Sequence, residues 1–295
     1  MLSIESLAAL HQAHPAAAAA RVAEFSLGTT RFEFNSRPAL MGVINLSADS
    51  WYRESVCLDA ESAIRRGRIL RAQGAAILDI GAESTLAHAS RVDESAQNHR
   101  LLPVIRTLAA EGAVVSVETY HPVVTRACLE AGARILNLTG VDGSAEMFRM
   151  VADHDAGVII CFVQGAHVRD VGNLDLGKDP IGTLHDFFAR QIDLATRQGV
   201  RRIFIDPGLG FYYRNLQDSA ARIRHQSSIF LNTFRLRTLG HPVCNALPHA
   251  FEYFGEEVRS AEPYFAVLAA LGKTDLFRTH EVPRVKAVLD SLNVL

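Results

Sequence analysis

The chain has 295 residues, 48% of them apolar, and a formal net charge of −2. That is ample material for a large core, and the near-neutral charge offers no electrostatic footprint for nucleic acid or an anionic membrane. No run of about 18 apolar residues occurs and no basic region leads into an apolar core at the N-terminus, so neither a membrane-spanning helix nor a secretory signal is expected. The four cysteines, Cys57, Cys128, Cys161 and Cys244, are scattered and form no Cys-x-x-Cys or Cys/His cluster. A disulfide framework or structural zinc site is therefore not expected, and the natural setting is a reducing cytoplasm.

In chain order, Pro15–Phe25 reads as a short Ala-rich helix and Thr30–Arg37 as a hairpin-like lead-in. Residues 1–30 are thus expected to form a helical extension and residues 31–295 one domain. Ala39–Asn45 (ALMGVIN) is the first buried strand, followed by a helix over about Asp59–Gln73. The next strands are Ala75–Ile80, Ala113–Val117, Ala133–Leu136 and Gly157–Val163. Helices over about Val92–Ala110, His121–Ala131 and Ser144–His154 lie between them. The longest irregular stretch, Gly165–Gly182, precedes a helix over Thr183–Gln198 and the strand that opens Ile203–Phe211. A helix over Gln217–Leu239, a short strand at His241–Cys244 and a helix over Glu256–Leu271 follow. Thr274–Arg278 is the eighth strand, and Val282–Leu292 closes the chain as a helix.

Eight apolar strands alternating with eight helices are the pattern of parallel βα units, whose strands are buried on both faces. The fold class is α/β, a (β/α)8 TIM barrel with a short N-terminal helical extension and hairpin. No G-x-G-x-x-G follows the first strand, which argues against an open dinucleotide-binding sheet.

Polar residues fall at or just beyond the strand ends: Asn45, Glu83, Glu118, Asn137, Gln164, Asp206, Asn245 and the pair Arg278/His280. In a closed barrel these ends converge on the face that carries active sites. The segment IFIDPGLGF is the most informative of them. A carboxylate closing a buried strand is costly unless hydrogen-bonded, and the glycines after it permit positive φ and close approach of a ligand. Asp206 either grips a flat, nitrogen-rich ring or caps the next helix. Acids and amides converging suit a ligand rich in N–H donors and carbonyl acceptors, and Arg278 with His280 would add a cationic spot for an anionic group.

These segments resemble the dihydropteroate synthase family, the pterin-binding barrels of folate synthesis. The resemblance is carried by MGVINLSADSWY from Met41, LDIGAEST at Leu78–Thr85, Val117-Glu118-Thr119-Tyr120, Leu136-Asn137-Leu138, DPGLGF at Asp206–Phe211 and RTHE at Arg278–Glu281. It implies transfer of a hydroxymethyl-dihydropterin from its pyrophosphate ester to p-aminobenzoate, with release of pyrophosphate. Asp206 would hold the pterin, with Glu118, Asn137, Gly210, Phe211 and Asn245 as further substrate contacts. Asn45 would sit near the pyrophosphate and its Mg²⁺, and Arg278 and His280 would bind the departing charge, so that Asp206, Asn45 and His280 form the catalytic set. Thr85 and the loop at Asp49/Ser50 would serve the second substrate. Homodimers through outer helices are usual in the family, which points to the apolar stretch Tyr264–Leu271.

The chain departs from the family pattern chiefly in cations. Where the family has Ser-Arg-Lys on the seventh strand, Val243–Phe251 contains no Lys or Arg. Leu86, Tyr213, Glu118 and Ala48 replace an expected Arg, Lys, Asp and Pro. With fewer positive partners, Asp206 and Glu118 should have raised pKa values. Only three of the thirty basic residues are lysines, and Lys178 in the Gly165–Gly182 stretch is the one placed to fold over the pocket. The alternative reading is a divergent pterin- or folate-binding paralogue with a different one-carbon transfer, to which Asn245 would point, or with no catalytic role.

Overall fold

The eight apolar runs close into a parallel barrel in a computed structural model that describes residues 2–47, 49, 52, 55–84, 91–211 and 213–294. The chain opens with α1 (Ile4–Ala13) and α2 (Pro15–Ala18), then a hairpin of β1 (Phe25–Leu27) and β2 (Thr30–Phe32). The first half of the barrel runs β3 (Ala39–Asn45), α3 (Ala60–Ala72), β4 (Ile77–Gly81), α4 (Glu94–Ala110), β5 (Val115–Thr119), α5 (Pro122–Glu130), β6 (Ile135–Leu138) and α6 (Ser144–Asp153). The second half is β7 (Gly157–Cys161), α7 (Pro180–Arg197), β8 (Arg202–Asp206), α8 (Ser219–Leu236), β9 (Cys244–Ala246), α9 (Phe251–Phe254), α10 (Ala261–Leu271), β10 (Leu276–Thr279) and α11 (Val282–Leu292).

Strand order is β8-β7-β6-β5-β4-β3-β10-β9, with every neighbouring pair parallel. The ring closes through a parallel bridge between Ile205 and Val243, where the Ile205 N–H donates to the Pro242 carbonyl at 3.1 Å. The helices start where short acids take up exposed backbone N–H groups: Asp59, Asp93 and Asp218 accept from Ser62, Ala96 and Ala221 at 2.7–2.8 Å. Outward strand residues pack with the helices in the larger core, which includes Leu78, Val117, Leu136, Val158 and Ile203.

The inward residues at the lower end form a second cluster, Met41, Ile77, Ile135, Ile159, Phe204 and Leu276, plugged by Val22, Leu27, Phe32 and Phe34. Phe25 and Phe34 meet Phe204 edge-on at 5.2 and 5.6 Å. The hairpin is therefore the floor of the barrel, and it straddles the boundary expected at residue 31. The Ala-rich stretch is helical only as far as Ala18, with α1 ahead of it. Beyond that point the Asn35 side chain accepts from the Val22 N–H at 2.9 Å and donates to the Val22 carbonyl at 2.8 Å. Those bonds, and burial of Val22 and Leu27, outweigh the helix propensity of the alanines.

Two other boundaries differ. The seventh barrel strand begins at Cys244 rather than His241, and the stretch before α10 breaks into α9 and a 3-10 segment, Gly255–Ser260. No described helix is long and apolar enough to cross a membrane. Because Phe34 is a plug residue, Phe34→Ala should cost about 3–5 kcal/mol. In urea titration the midpoint should fall with little change in slope, and an unshifted midpoint would make the extension a mere tail.

Candidate active site

At the C-terminal ends of the strands lies a cavity of about 380 Å³. Its wall includes Asn45, Glu83, Glu118, Asn137, Asp206 and Arg278, and Gly210, Phe211 and His280 also face it. All come from strand ends or the loops just after them, six strands in total, because side chains at the carboxyl ends of a closed ring of strands point to a shared axis.

The polar floor is an ion cluster. Arg278, from β10, donates to Asp79 Oδ2 on β4 at 2.8 Å and to Glu118 Oε2 on β5 at 2.6 Å. Asp79, fully buried, also accepts from Ser116 Oγ at 2.6 Å and Asn137 Nδ2 at 3.1 Å, while the Cys161 thiol donates to Asn137 Oδ1 at 3.2 Å. The Asn137 amide is thereby fixed at both ends. Asp79 had no place among the sequence-derived candidates. Its signal was the same one that marked Asp206, an acid inside an otherwise apolar strand.

Asp206 is 4% exposed and accepts from the Gly208 N–H at 2.8 Å. Gly208 has φ +76°, and a Cβ there would lie 2.3 Å from the Phe162 carbonyl oxygen, so the turn under Asp206 requires glycine. Burial pushes Asp206 up to about 6, against the lowering effect of the Gly208 bond and Arg278. Burial likewise pushes Glu118 up to about 7; Arg278 opposes this, and Asp79 and Asp206 add to it. The expected direction holds for both acids, and its first cause is desolvation.

The cationic spot expected at Arg278 and His280 is muted. The Arg278 guanidinium is committed to two carboxylates. His280 donates or accepts at Nδ1 with Glu262 Oε1 at 2.7 Å, and burial followed by the Arg278 and Arg66 charges drives its pKa down to about 3. It is neutral at pH 7. Burial and then the neighbouring His280 also lower His249, to about 4.

Other candidates fall outside the cavity. Asn245, expected among the substrate contacts, is fully buried behind the barrel, donating to Thr233 Oγ1 at 3.1 Å and Thr274 Oγ1 at 2.7 Å. Strand alternation explains this: Cys244 points into the lower cluster and Ala246 into the cavity, which turns Asn245 the other way. Gln164 instead accepts from the Asp175 N–H at 2.7 Å and braces the long loop. Lys178 is exposed; the basic residue that the loop sends inward is Arg169, whose Nη1 donates to the Ser84 carbonyl at 2.6 Å. Tyr213 is buried and accepts from the Gln164 N–H at 3.3 Å. Thr85, Leu86, Ala48 and Ser50 lie outside the described residues.

A family model for pterin binding enzymes matches residues 41–240. The chain belongs to that family. It is 29% identical over 87% of its length to the dihydropteroate synthase of Synechocystis sp., covering 89% of that protein. The Xanthomonas albilineans dihydropteroate synthase solved with 4-aminobenzoic acid superposes with TM-score 0.76 at 27% identity, over 92% of this chain and 97% of that one. The Burkholderia cenocepacia dihydropteroate synthase complexed with 7,8-dihydropteroate gives 0.77 at 25% identity, over 92% and 96%.

Within this pterin-binding enzyme, two wall residues and one residue buried behind the wall escaped the sequence. Arg222, on α8, lines the cavity and is braced by Glu252 at 2.9 Å and by the Leu216 and Gln217 carbonyls. Tyr52 stacks on His249 with ring centres 4.9 Å apart and lies 4.7 Å from the His280 ring. Glu262, fully buried on α10, accepts from the His280 and Glu281 N–H groups at 2.9 and 3.1 Å and from the Thr279 hydroxyl. None of these lies at a strand end, the position that made the other candidates legible.

Asp206 bears on stability as well. A carboxylate with a raised folded-state pKa costs stability progressively as pH rises from about 4 to 6, because the unfolded chain ionises first. Asp206→Asn imitates the neutral form. It should raise the stability of the ligand-free protein at pH 7.5 by about 1–3 kcal/mol, and by almost nothing at pH 4. Thermal melts at the two pH values check this, and an equal change at both would contradict the assignment.

Proposed function

We infer that the chain is a dihydropteroate synthase-type transferase of folate biosynthesis, joining hydroxymethyl-dihydropterin pyrophosphate to p-aminobenzoate. The observation that carries this is the convergence of Asp206, Glu118 and Asn137 on one cavity, with Asn45, Arg278 and His280 also in its wall, in a chain that matches synthases over almost their full length.

A dihydropterin offers ring N–H and amino donors along one edge. Asp206, ionised above about pH 6, accepts from that edge; Asn137 and Glu118 take other polar atoms, while Phe211 and Gly210 border the ring. In the transfer, the C–O bond between the pterin methylene and the diphosphate breaks with its electron pair on oxygen. A C–N bond forms to the aromatic amine, which loses a proton. Carboxylates beside the methylene favour the positive charge that develops there. Arg222 supplies a cation for the second substrate's carboxylate, the role that the residues of Val243–Phe251 cannot fill. Thr85 completes that site in this reading.

Mg²⁺ suits the diphosphate end. Such an ion keeps several waters and takes few protein oxygens beside substrate phosphates. Asn45, in the cavity wall, donates its amide hydrogen to Ser55 Oγ at 2.5 Å, and its carboxamide oxygen is a hard donor of the type Mg²⁺ takes. Bound there, the ion would neutralise leaving-group charge. The four free, buried cysteines support a cytoplasmic setting. The half-exposed Tyr264 and Leu271 on α10 support a homodimer through that helix, which light scattering would detect.

Pyrophosphate release from the pterin pyrophosphate and p-aminobenzoate is the direct test. Asp206→Asn should lower turnover at least about 100-fold. Asn245→Ala, behind the barrel, should leave kcat/KM within about threefold while lowering the melting temperature by removing two buried hydrogen bonds. Folded protein that binds a pterin yet releases no pyrophosphate would favour the paralogue reading.

The pH dependence is set by Glu118 and Asp206. Pterin affinity, followed by calorimetry, should begin to weaken near pH 7, where Glu118 takes up its proton, and fall at least roughly tenfold for each unit below about pH 5.5 as Asp206 does so. An affinity independent of pH would place the ring elsewhere.

A further inference from the structure

One corner beside the cavity lies apart from the acceptors assigned to the pterin ring, Asp206, Glu118 and Asn137. Here His249, Glu262 and His280 each bring one donor atom to within 4.8 Å of the others. We propose that these three residues bind a single divalent transition-metal ion of the zinc type, with its open coordination position toward the cavity.

The donors are arranged for an ion. Glu262 Oε1 faces His280 Nδ1 at 2.7 Å and His249 Nδ1 at 3.6 Å. His249 Nδ1 is buried and has no hydrogen-bond partner. A buried polar nitrogen without a partner is costly, and a second imidazole aimed at an oxygen already engaged by His280 leaves it so. Zinc with bonds of about 2.0–2.1 Å holds its ligands roughly 3.3 Å apart, so small side-chain adjustments seat the ion.

The surroundings are those of a supported ligand set. Glu262 Oε2 is held by the His280 and Glu281 N–H groups and by the Thr279 hydroxyl, which fixes the carboxylate and directs Oε1 at the imidazoles. Tyr52 stacks on the His249 ring and packs at a tilt against that of His280. Among the described residues this is the sole group of three His, Cys, Asp or Glu placed to hold an ion. Two imidazoles and one carboxylate select zinc-type ions over Mg²⁺ and Ca²⁺, which prefer oxygen donors. Both histidines line the cavity, so the remaining position is open to an anionic oxygen from a bound ligand. The site itself does not depend on which reaction the cavity performs.

The test uses untagged, full-length protein stripped with chelator and no pterin or amine present. Dialysed against Zn²⁺ with excess Mg²⁺, it should retain one Zn²⁺ per chain by elemental analysis, and Co²⁺ in its place should give tetrahedral-type visible absorption. His249→Ala should abolish both signals while circular dichroism stays unchanged. Thr279→Val, which removes the hydroxyl bond to the carboxylate and one to the Glu281 N–H but no donor atom of the site, should weaken Zn²⁺ about 10–100-fold. Glu262→Gln should abolish binding too, though the buried carboxylate's several hydrogen bonds make His249→Ala the cleaner probe. Zn²⁺ uptake equal in wild type and His249→Ala, or displacement of Zn²⁺ by Mg²⁺, would overturn the proposal.

Discussion

The guanidinium of Arg278, clasped between Asp79 and Glu118 inside the barrel, is the interaction on which the site depends. Two carboxylates in the interior of a ring of strands would each cost several kcal/mol in lost hydration, and Arg278 reaches from β10 to β4 and β5 to offset both. Replacing such a buried group by apolar residues is often neutral for stability, so its value here is positional. It holds Glu118 at the level of the cavity and, through Asp79, orients Asn137. It also commits to Asp79 and Glu118 a guanidinium that would otherwise compensate Asp206 more fully, and the Asp206 carboxyl is left strongly desolvated. The result is a floor of acceptors that a donor-rich ring can satisfy.

The same economy shapes the diphosphate side. Arg278 is engaged and His280 is neutral, so this corner presents little free positive charge of its own. The family pattern would place two cations on the seventh strand, where this chain has the Leu247–Phe251 loop instead. In the proposed reaction compensation would come from different elements: Arg222 from α8, which shares its charge with Glu252, Mg²⁺ at Asn45, and the ion proposed at His249, Glu262 and His280. With His249 in place of Arg and Lys, permanent charge is exchanged, under that proposal, for charge that depends on a bound ion.

The hairpin shows how the two ends of the barrel are linked. Val22, Leu27, Phe32 and Phe34 fill the lower opening that strand residues alone leave unfilled, and Phe204 carries that packing upward along β8. Asp206 sits two residues further along the same strand. A rigid floor fixes the strand whose end holds the principal acceptor, which is why the N-terminal segment is structurally part of the barrel.

The sequence by itself determined the periodicity and hence the architecture. Apolar runs buried on both faces cannot be anything but parallel strands between helices, and β3 and α11 fall where the pattern puts them. It also determined the acids and amides at strand ends, because a polar residue closing an apolar run stands out against its neighbours. Only the tertiary structure decided which way each of them points. Asn245 is turned outward by the alternation of a three-residue strand whose register the sequence placed three residues too early, and Gln164 is drawn away by the long loop. Only the tertiary structure, too, could bring Asp79 to Arg278, or His249 and His280 to Glu262. Asp79 and Arg278 lie far apart in the chain and meet across the barrel, the two histidines reach Glu262 from the segments on either side of α10, and the charges and proton affinities of all these groups arise from burial that no linear spacing encodes.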